Sequence, residues 1–204
     1  MYTLYFLPGA CSLATQAILH ELNQPVELIH KQDADHFETL NPSGTVPVLI
    51  DQNRVLNEGV AILLHLLDKH DNQLIARNGE QRHRAIEHMM FANASMHPAY
   101  GRLFFIERHI SHAEGKQQAF AAAASAINTL WAAVEIKLQG KPCLGGESPS
   151  PADFLLAVYS RWGQFFPVDI VIGPSARRMI DSIIARDSFR KALQRESAYS
   201  SAVA

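Results

Sequence analysis

Residues 2–12 of the chain read YTLYFLPGACS and decide the fold, because they describe a strand that turns into a helix. The apolar and aromatic run from Tyr2 to Leu7 predicts a short buried strand, and Pro8-Gly9 predicts a turn. Beyond the turn, apolar residues recur at positions 14, 17, 18 and 22, which is the spacing of one helical face. Cys11 is therefore expected at or beside the N-terminus of a helix.

The position of Cys11 has two interpretations. Unpaired N–H groups and the positive end of the dipole at a helix N-terminus favour an anion. A thiolate is such an anion, so a cysteine at this place is expected to have a lowered pKa and to be reactive. A small buried residue that fills a tight turn is the alternative. The residues around Cys11 alone leave both interpretations open.

The composition narrows the class of protein. A hydrophobic content of 48% in 204 residues supports a core for one large domain or two small ones. The net charge is −2, and no basic patch or RNA-binding motif is present, so nucleic acid is not an expected partner. No apolar run approaches the ~20 residues of a membrane span, and the immediate first strand leaves no room for a signal peptide. Two cysteines, Cys11 and Cys143, form no disulfide framework, which indicates a soluble cytoplasmic protein.

Residues 1–71 are expected to form a first domain in the order β-α-β-α-β-β-α. Residues 26–30 (VELIH) predict a second strand, and the polar stretch 31–39 predicts a loop with a short helix. Two apolar runs that flank residues 51–53 predict a hairpin, and residues 60–67 predict a helix that is apolar on more than one side. Because a β-α-β unit has parallel strands, these elements predict a small mixed sheet with helices on its faces.

Residues 79–204 are expected to be all helical, after a polar linker from Asp71 to Asn78. The Ala-rich stretch 120–138 predicts a strong helix. Ser150-Pro151-Ala152-Asp153 predicts a capped helix start, with Ser at the N-cap, Pro at N1 and an acid at N3. Further helices are expected at about 175–184 and 188–194, and the Ser/Ala-rich tail after Glu196 is expected to fray.

Asn93 and His97 lie four residues apart on an otherwise apolar helical stripe between Ile86 and Phe104, so they are expected to face inward. By default, a histidine on an apolar face is a hydrogen-bonded core residue. Pro98 removes a helical N–H and is expected to kink the helix. No Asp, Glu or Cys completes a metal set beside the scattered histidines, so no metal site is expected.

Three further segments stand in order along the chain: Asn41-Pro42-Ser43-Gly44-Thr45-Val46-Pro47, Leu56-Asn57-Glu58-Gly59-Val60-Ala61-Ile62 and Ser150 to Asp153. Together with the domain order they resemble the glutathione transferases. A cysteine in the first turn resembles the bacterial beta class, in which it replaces the Tyr or Ser of other classes. The resemblance covers the whole chain and implies a thioredoxin-like domain at 1–71 with a mixed four-stranded sheet. It also implies an all-α domain at 79–204 that contributes the site of the second substrate.

The resemblance implies a binding site for glutathione, an anionic tripeptide with one thiol. It implies a cis peptide bond before Pro47, which would turn the backbone of Val46 outward to pair with the ligand in the manner of an added strand. An ordinary trans proline at the start of a strand is the alternative. Glu58 and Gly59 would sit at a helix N-terminus, whose N–H groups receive the γ-glutamyl carboxylate. Glu58 would take the ligand's ammonium group, or complement the helix dipole, or do both.

The resemblance also assigns roles to Cys11 and His97 as catalytic residues, and it groups Asn93 with the glutathione ligands. His97 would reach the ligand thiol and accept its proton or hydrogen-bond its sulfur. The family often has Ser in place of Gly59 and Lys in place of Pro98, so two polar contacts are missing here. No second cysteine follows Cys11 in a dithiol motif, so a disulfide at Cys11 is expected with glutathione or another external thiol.

The predicted function is therefore conjugation of glutathione to hydrophobic electrophiles by a homodimeric enzyme. Thiol–disulfide exchange through a mixed disulfide at Cys11 is a second expected activity. A non-catalytic binding or interaction protein of the same fold is the alternative, since the two polar contacts are missing. For the second substrate, the sequence offers five residues that would line its cavity or lie in the core: Tyr100, Phe104, Arg161, Trp162 and Phe165.

Overall fold

The computed structural model describes the backbone of residues 1–203 and the side chains of residues 1–199. The chain divides into two compact units. The first unit holds Met1–Arg77 together with the chain from Ile184 onward, and the second unit holds Asn78–Ile183. The break at Arg77 falls inside the polar linker that the sequence predicts.

A four-stranded mixed sheet organises the first unit, as the sequence predicts. Its strands are β1 (Tyr2–Phe6), β2 (Val26–His30), β3 (Val48–Asp51) and β4 (Arg54–Leu56), in the order β2-β1-β3-β4. Strand β1 pairs in parallel with β2, with Leu4 opposite Leu28, and antiparallel with β3. Strands β3 and β4 form the predicted hairpin. With its helices, the sheet therefore has the predicted order β-α-β-α-β-β-α of a thioredoxin-like domain.

Helices α1 (Ser12–Glu21), α2 (Phe37–Leu40), α3 (Gly59–Lys69) and α9 (Asp187–Val203) complete the first unit. Every residue of α1 from Ser12 to Leu19 is buried. A helix that is buried on all sides needs a cover on the face away from the sheet, and α9 packs against α1 to provide it. Sequence patterning assigned the last helix to the domain 79–204, with an end near residue 194. The structure instead groups it with the sheet and extends it to Val203.

The second unit is helical, as the sequence predicts. Its helices are α4 (Gly79–Phe91), α5 (His97–His109), α6 (Ala113–Leu138), α7 (Pro151–Tyr159) and α8 (Pro174–Ile184). All nine residues of α7 are buried, so this helix lies in the core of the unit. The predicted capping of α7 is confirmed: the Asp153 carboxylate accepts hydrogen bonds from the Ser150 amide and hydroxyl at 2.7 and 2.8 Å.

Helix α6 passes a test for membrane spans that the sequence was expected to fail. Within the part of the chain that the structure describes, α6 is the helix that is long and apolar enough to cross a membrane. Its most apolar 18 residues have a mean hydropathy of 1.4. The many alanines of α6 raise the mean hydropathy. Of these 18 residues, 33% are buried inside the protein. The core helices of soluble proteins pass the same test, so the finding is weak evidence for a membrane.

Candidate functional site

Cys11 lies at the N-cap of α1, as the sequence predicts, and its thiol donates a hydrogen bond to the Val46 carbonyl at 3.1 Å. The Val46–Pro47 peptide bond is cis, as the resemblance implies. Val46 belongs to an apolar cluster with Phe37 and Val48, and Ala10 of the cysteine turn packs against the same cluster. The turn that carries Cys11 and the loop that carries the cis proline therefore pack on the same apolar cluster.

The pKa of Cys11 contradicts the expectation of a lowered value. Burial raises the pKa of the thiol to about 11, against an ordinary value of 9.0. The backbone N–H groups of Cys11 and Ser12 lower this pKa as predicted, but by less than burial raises it, and the charge of Glu58 raises it further. The position at the helix N-terminus was predicted correctly. Of the two interpretations left open for Cys11, the raised pKa disfavours the ionised thiolate, because desolvation outweighs the amide groups. In the unliganded protein Cys11 is a neutral thiol at neutral pH.

The alkylation rate of Cys11 by iodoacetamide is expected to keep rising above about pH 10, with a midpoint near 11. A pKa raised by two units leaves about 100-fold less thiolate at pH 7, and the greater nucleophilicity of a basic thiolate offsets part of that loss. We therefore expect alkylation about 10-fold slower than that of a free cysteine. Peptide mass spectrometry separates Cys11 from the buried Cys143. A rate that levels off below about pH 8 would show that the thiolate is stabilised after all.

The N-terminus of α3 lies beside the cis proline. A Cβ atom on Gly59 would lie 3.9 Å from both Cγ and Cδ of Pro47, which is ordinary contact, so a serine has room here. Glu58 stands at the N-cap with φ 68°, in a region that non-glycine residues rarely adopt. Its carboxylate is exposed and forms no hydrogen bond or ion pair within the described residues. Backbone strain of this kind is concentrated at functional positions, and the first amides of α3 have no acceptor inside the helix.

The loop before Val46 is held by its own polar side chains. The Asn41 amide donates to the Thr45 carbonyl at 2.9 Å, and its carbonyl oxygen accepts from the Ser43 amide at 3.2 Å. From the other side, the Asn57 amide donates to the Leu40 carbonyl at 3.1 Å. These bonds explain why Asn41 and Asn57 stand in the two motifs: they fix the loop that presents the Val46 backbone.

Lys31 is a candidate site residue that the sequence reasoning missed. Its ammonium donates a hydrogen bond to the Gly44 carbonyl, two residues before Val46, and lies 5.4 Å from the centre of the Phe37 ring. The stretch 31–39 was interpreted as a polar loop. One signal pointed to Lys31: it directly follows β2, which runs parallel to the strand that leads into Cys11. Residues at the carboxyl ends of parallel strands meet at one edge of a sheet.

Asn93 and His97 lie in the second unit, at a π-helical turn (Ala92–Met96) that joins α4 to α5. The His97 amide donates to the Ala92 carbonyl, five residues earlier, and closes the wide turn. Pro98, which has no N–H, follows at the start of α5. The sequence predicts a kink at Pro98; the structure has a π-helical turn, with one extra residue, directly before it. Such π-bulges are frequent at functional sites.

The His97 ring is part of an aromatic cluster. It stacks on Tyr159 with 5.0 Å between ring centres and 9° between planes, and it lies 5.1 Å from the Trp162 ring. The ring is partly exposed, as is Asn93.

The structure thus brings Cys11, Val46, Pro47, Glu58 and Gly59 together in the first unit and holds Asn93 and His97 in the second. The proposed roles of His97 and Asn93 stay predictions.

The five residues suggested for the cavity of the second substrate differ in burial. Tyr100 and Trp162 are buried, with 0% and 5% of their surface exposed, and the Tyr100 hydroxyl accepts from the Trp131 indole at 2.9 Å. Both are therefore core residues. Phe165 is 61% exposed, while Phe104 and Arg161 are partly exposed. Within the described residues, no group of three or more His, Cys, Asp or Glu side chains is placed to hold a metal ion.

Known proteins resemble the chain over nearly all of its length. Residues 13–74 match the family model described as glutathione S-transferase, N-terminal domain. Glutathione S-transferase GST-4.5 of Xanthomonas campestris is 30% identical over 199 residues, which cover 95% of this chain and 98% of that protein.

Two solved structures are similar in fold and sequence. The glutathione S-transferase of a sphingomonad, complexed with glutathione, has a TM-score of 0.83 and 29% identity, and covers 96% of this chain and 98% of its own. The bacterial beta-class enzyme of Sphingomonas chungbukensis has a TM-score of 0.82 and 30% identity, and covers 95% and 98%. The likeness to these two structures therefore extends over both units of the chain.

Proposed function

This chain belongs to the glutathione S-transferase family and is a glutathione-conjugating enzyme, and we propose that its first unit binds glutathione at the Cys11 site. We define the Cys11 site as Cys11, Lys31, Val46, Pro47, Glu58 and Gly59. One observation carries the proposal: the Cys11 thiol donates to the carbonyl of Val46, on the loop of the cis proline, beside the N-terminus of α3. A non-catalytic role is not favoured.

The chemical groups of the Cys11 site complement those of an extended γ-glutamyl peptide. The Val46 backbone would pair with the cysteinyl amide as an added strand does. The amides at the start of α3 would receive the γ-glutamyl carboxylate, and the unpaired Glu58 carboxylate would take the ammonium group beside it. Lys31 would receive the carboxylate at the glycine end, since its ammonium lies on the loop before Val46.

The Cys11 thiol would act as a hydrogen-bond donor rather than as a nucleophile. In the unliganded protein it donates to the Val46 carbonyl, the acceptor that we assign to the ligand's cysteinyl amide. When that amide donates to Val46, the Cys11 thiol is free to donate to the ligand sulfur. Because burial keeps Cys11 protonated at neutral pH, it stabilises the ligand's thiolate without competing for the electrophile.

Exchange with oxidised glutathione is the lesser activity that we propose. The Cys11 thiolate would attack one sulfur of the disulfide, forming a mixed disulfide and releasing one glutathione thiolate. The raised pKa of Cys11 leaves little thiolate at neutral pH, so exchange is expected to be slow there and to accelerate with pH.

We further propose hydrophobic electrophiles as second substrates, a homodimer and a cytoplasmic location. Two exposed apolar side chains on the helices of the second unit are compatible with apolar partners: Phe105 and Ile136 are 62% and 75% exposed. By contrast, the apolar residues of α3 give no such support, since Val60, Ile62, Leu63, Leu66 and Leu67 are buried inside the protein. Gel filtration with light scattering measures the assembly.

Calorimetry with reduced glutathione, followed by a conjugation assay with a small aromatic electrophile, tests the proposed function. We expect saturable binding heat and turnover that depends on glutathione. Binding without turnover would support the non-catalytic alternative, and the absence of both would contradict the proposal.

Replacing Lys31 with methionine is expected to raise KM for glutathione about 10-fold while kcat stays within about twofold. The reason is that a charge-assisted bond to a remote carboxylate, worth about 1.5–3 kcal/mol, stabilises the bound ground state and the transition state alike. Steady-state kinetics with varied glutathione measure this. Lys141→Met is the matched control, because Lys141 is exposed and lies in the second unit. An unchanged KM in Lys31→Met would remove Lys31 from the Cys11 site.

A further inference from the structure

A carboxylate from the far end of the chain reaches the turn that leads into Cys11. Glu196, on α9, accepts a hydrogen bond from the Gly9 amide at 2.8 Å with one oxygen. Its other oxygen accepts from the Gln16 side-chain amide, on α1, at 2.7 Å. Glu196 is 4% exposed and Gln16 is fully buried. The two bonds therefore form inside the protein, at residues two positions before Cys11 and five positions after it.

A buried carboxylate is costly to the fold unless donors replace its water shell. The Gly9 amide and the Gln16 side-chain amide are two such donors, so Glu196 holds the Gly9 amide in place. Gly9 has φ 74°, the conformation by which the chain turns from β1 toward α1. The turn is thus held at the residue where its direction is set.

Other contacts besides those of Glu196 hold α9 against α1. At the other end of the same helix pair, the Arg186 guanidinium donates to both carboxylate oxygens of Glu21, at 2.7 and 2.8 Å. Phe189 and Ala192 of α9 are fully buried as well. These contacts hold the helix at that end, and Glu196 accepts a hydrogen bond from the backbone of the cysteine turn.

We propose that Glu196 is a positioning residue for Cys11: by holding the Gly9 amide and the Gln16 side chain, it fixes the turn from which the thiol meets the Val46 carbonyl. The inference rests on the proposed function for its effect on conjugation. Its effect on Cys11 itself does not need glutathione. Loss of the carboxylate would remove the hydrogen bond that the Gly9 amide donates to it, so the turn would relax and the Cys11 thiol would become more exposed.

Three variants of the full chain test the inference. Glu196→Met removes both acceptors and keeps the length of the side chain. Glu196→Gln keeps an acceptor for the Gly9 amide and loses the charge. Arg186→Met is the matched control, because it weakens the same helix pair at the end away from Gly9. Each variant is measured for thermal stability, for the pH profile of Cys11 alkylation, and for kcat and KM of conjugation.

We expect Glu196→Met to lower kcat about 10- to 100-fold, the order of loss that a small misplacement of a reacting group causes. KM should stay within about threefold, because the ligand's anchors are elsewhere in the Cys11 site. The midpoint of Cys11 alkylation should fall from near 11 toward the ordinary thiol value, since the side chain loses its burial. Glu196→Gln should restore most of kcat. Arg186→Met should keep the wild-type alkylation profile even where it melts at the same temperature as Glu196→Met.

An alkylation profile and kcat that are unchanged in Glu196→Met would overturn the inference, as would equal changes in Arg186→Met. If Glu196→Met does not fold, Gln16→Leu decides, because it removes the side-chain amide that donates to the carboxylate. A several-fold loss of kcat with faster Cys11 alkylation supports the inference, and wild-type values contradict it. If the wild-type protein itself fails to bind glutathione, the proposed function fails, while the alkylation profiles still test Glu196.

Discussion

Replacement of Cys11 by alanine is expected to lower kcat for glutathione conjugation about 100-fold, with KM for glutathione changed less than about threefold. Removing one preorganised donor to a developing anion costs about 10²–10³ in kcat, and here the anion is the ligand's thiolate. The binding groups of the ligand remain, because Lys31, Val46, Glu58 and Gly59 are untouched. Steady-state kinetics at saturating electrophile separate the two parameters.

The matched variants make the Cys11 prediction specific. Cys11→Ser keeps a hydroxyl donor, so it should retain about a tenth or more of the wild-type kcat. Cys143→Ser, at a buried cysteine of the second unit, should leave kcat unchanged in the folded fraction. Intact mass after incubation with oxidised glutathione should show an adduct in the wild type and none in Cys11→Ala. A kcat within about threefold of wild type in Cys11→Ala would contradict the donor role.

Replacement of Asp153 by alanine is expected to lower the free energy of unfolding by about 2–4 kcal/mol. The carboxylate accepts from the Leu144 amide at 2.9 Å and from the amide and hydroxyl of Ser150 at 2.7 and 2.8 Å. Each donor left buried without an acceptor costs about 1–3 kcal/mol. Burial also raises the pKa of Asp153, which means that the charge itself is destabilised, and its removal offsets part of the loss.

Denaturant unfolding measures this difference, and a loss of about 10 °C in Tm is expected alongside it. Asp153→Asn should fall between alanine and wild type, because its amide oxygen still accepts while its NH₂ group faces donors. Asp181→Ala, at an exposed acid on α8, should stay within about 0.5 kcal/mol of wild type. A loss below about 1 kcal/mol in Asp153→Ala would show that water replaces the carboxylate.

Local signals in the sequence predicted most of the fold. The strand, turn and helix at residues 2–22 follow from periodicity and from Pro8-Gly9, and the capping of α7 follows from Ser150 and Asp153. The position of Cys11 at a helix N-terminus also follows from these signals. Its pKa does not, because it depends on how deeply the thiol is buried and on Glu58, which lies 47 positions away in the chain. Burial is a property of the assembled fold.

Long-range partners account for what the sequence did not predict. The extent of α9 was underestimated because its Ser/Ala-rich end lacks an apolar stripe, yet the helix covers the buried α1. Glu196 gave no local sign of its role, since its partners Gly9 and Gln16 are at the other end of the chain. Lys31 was overlooked for the same reason: its acceptor, Gly44, lies in another loop. At Pro98 the missing N–H was predicted, but the π-helical turn that accommodates it was not.

A crystal structure of the wild-type protein with reduced glutathione would test whether the Cys11 site holds the tripeptide. We predict the ligand's cysteinyl amide on the Val46 carbonyl and its sulfur within hydrogen-bond distance of the Cys11 thiol, which will have left Val46. Glutathione bound elsewhere, or a Cys11 thiol that still donates to Val46 beside a bound ligand, would contradict the account.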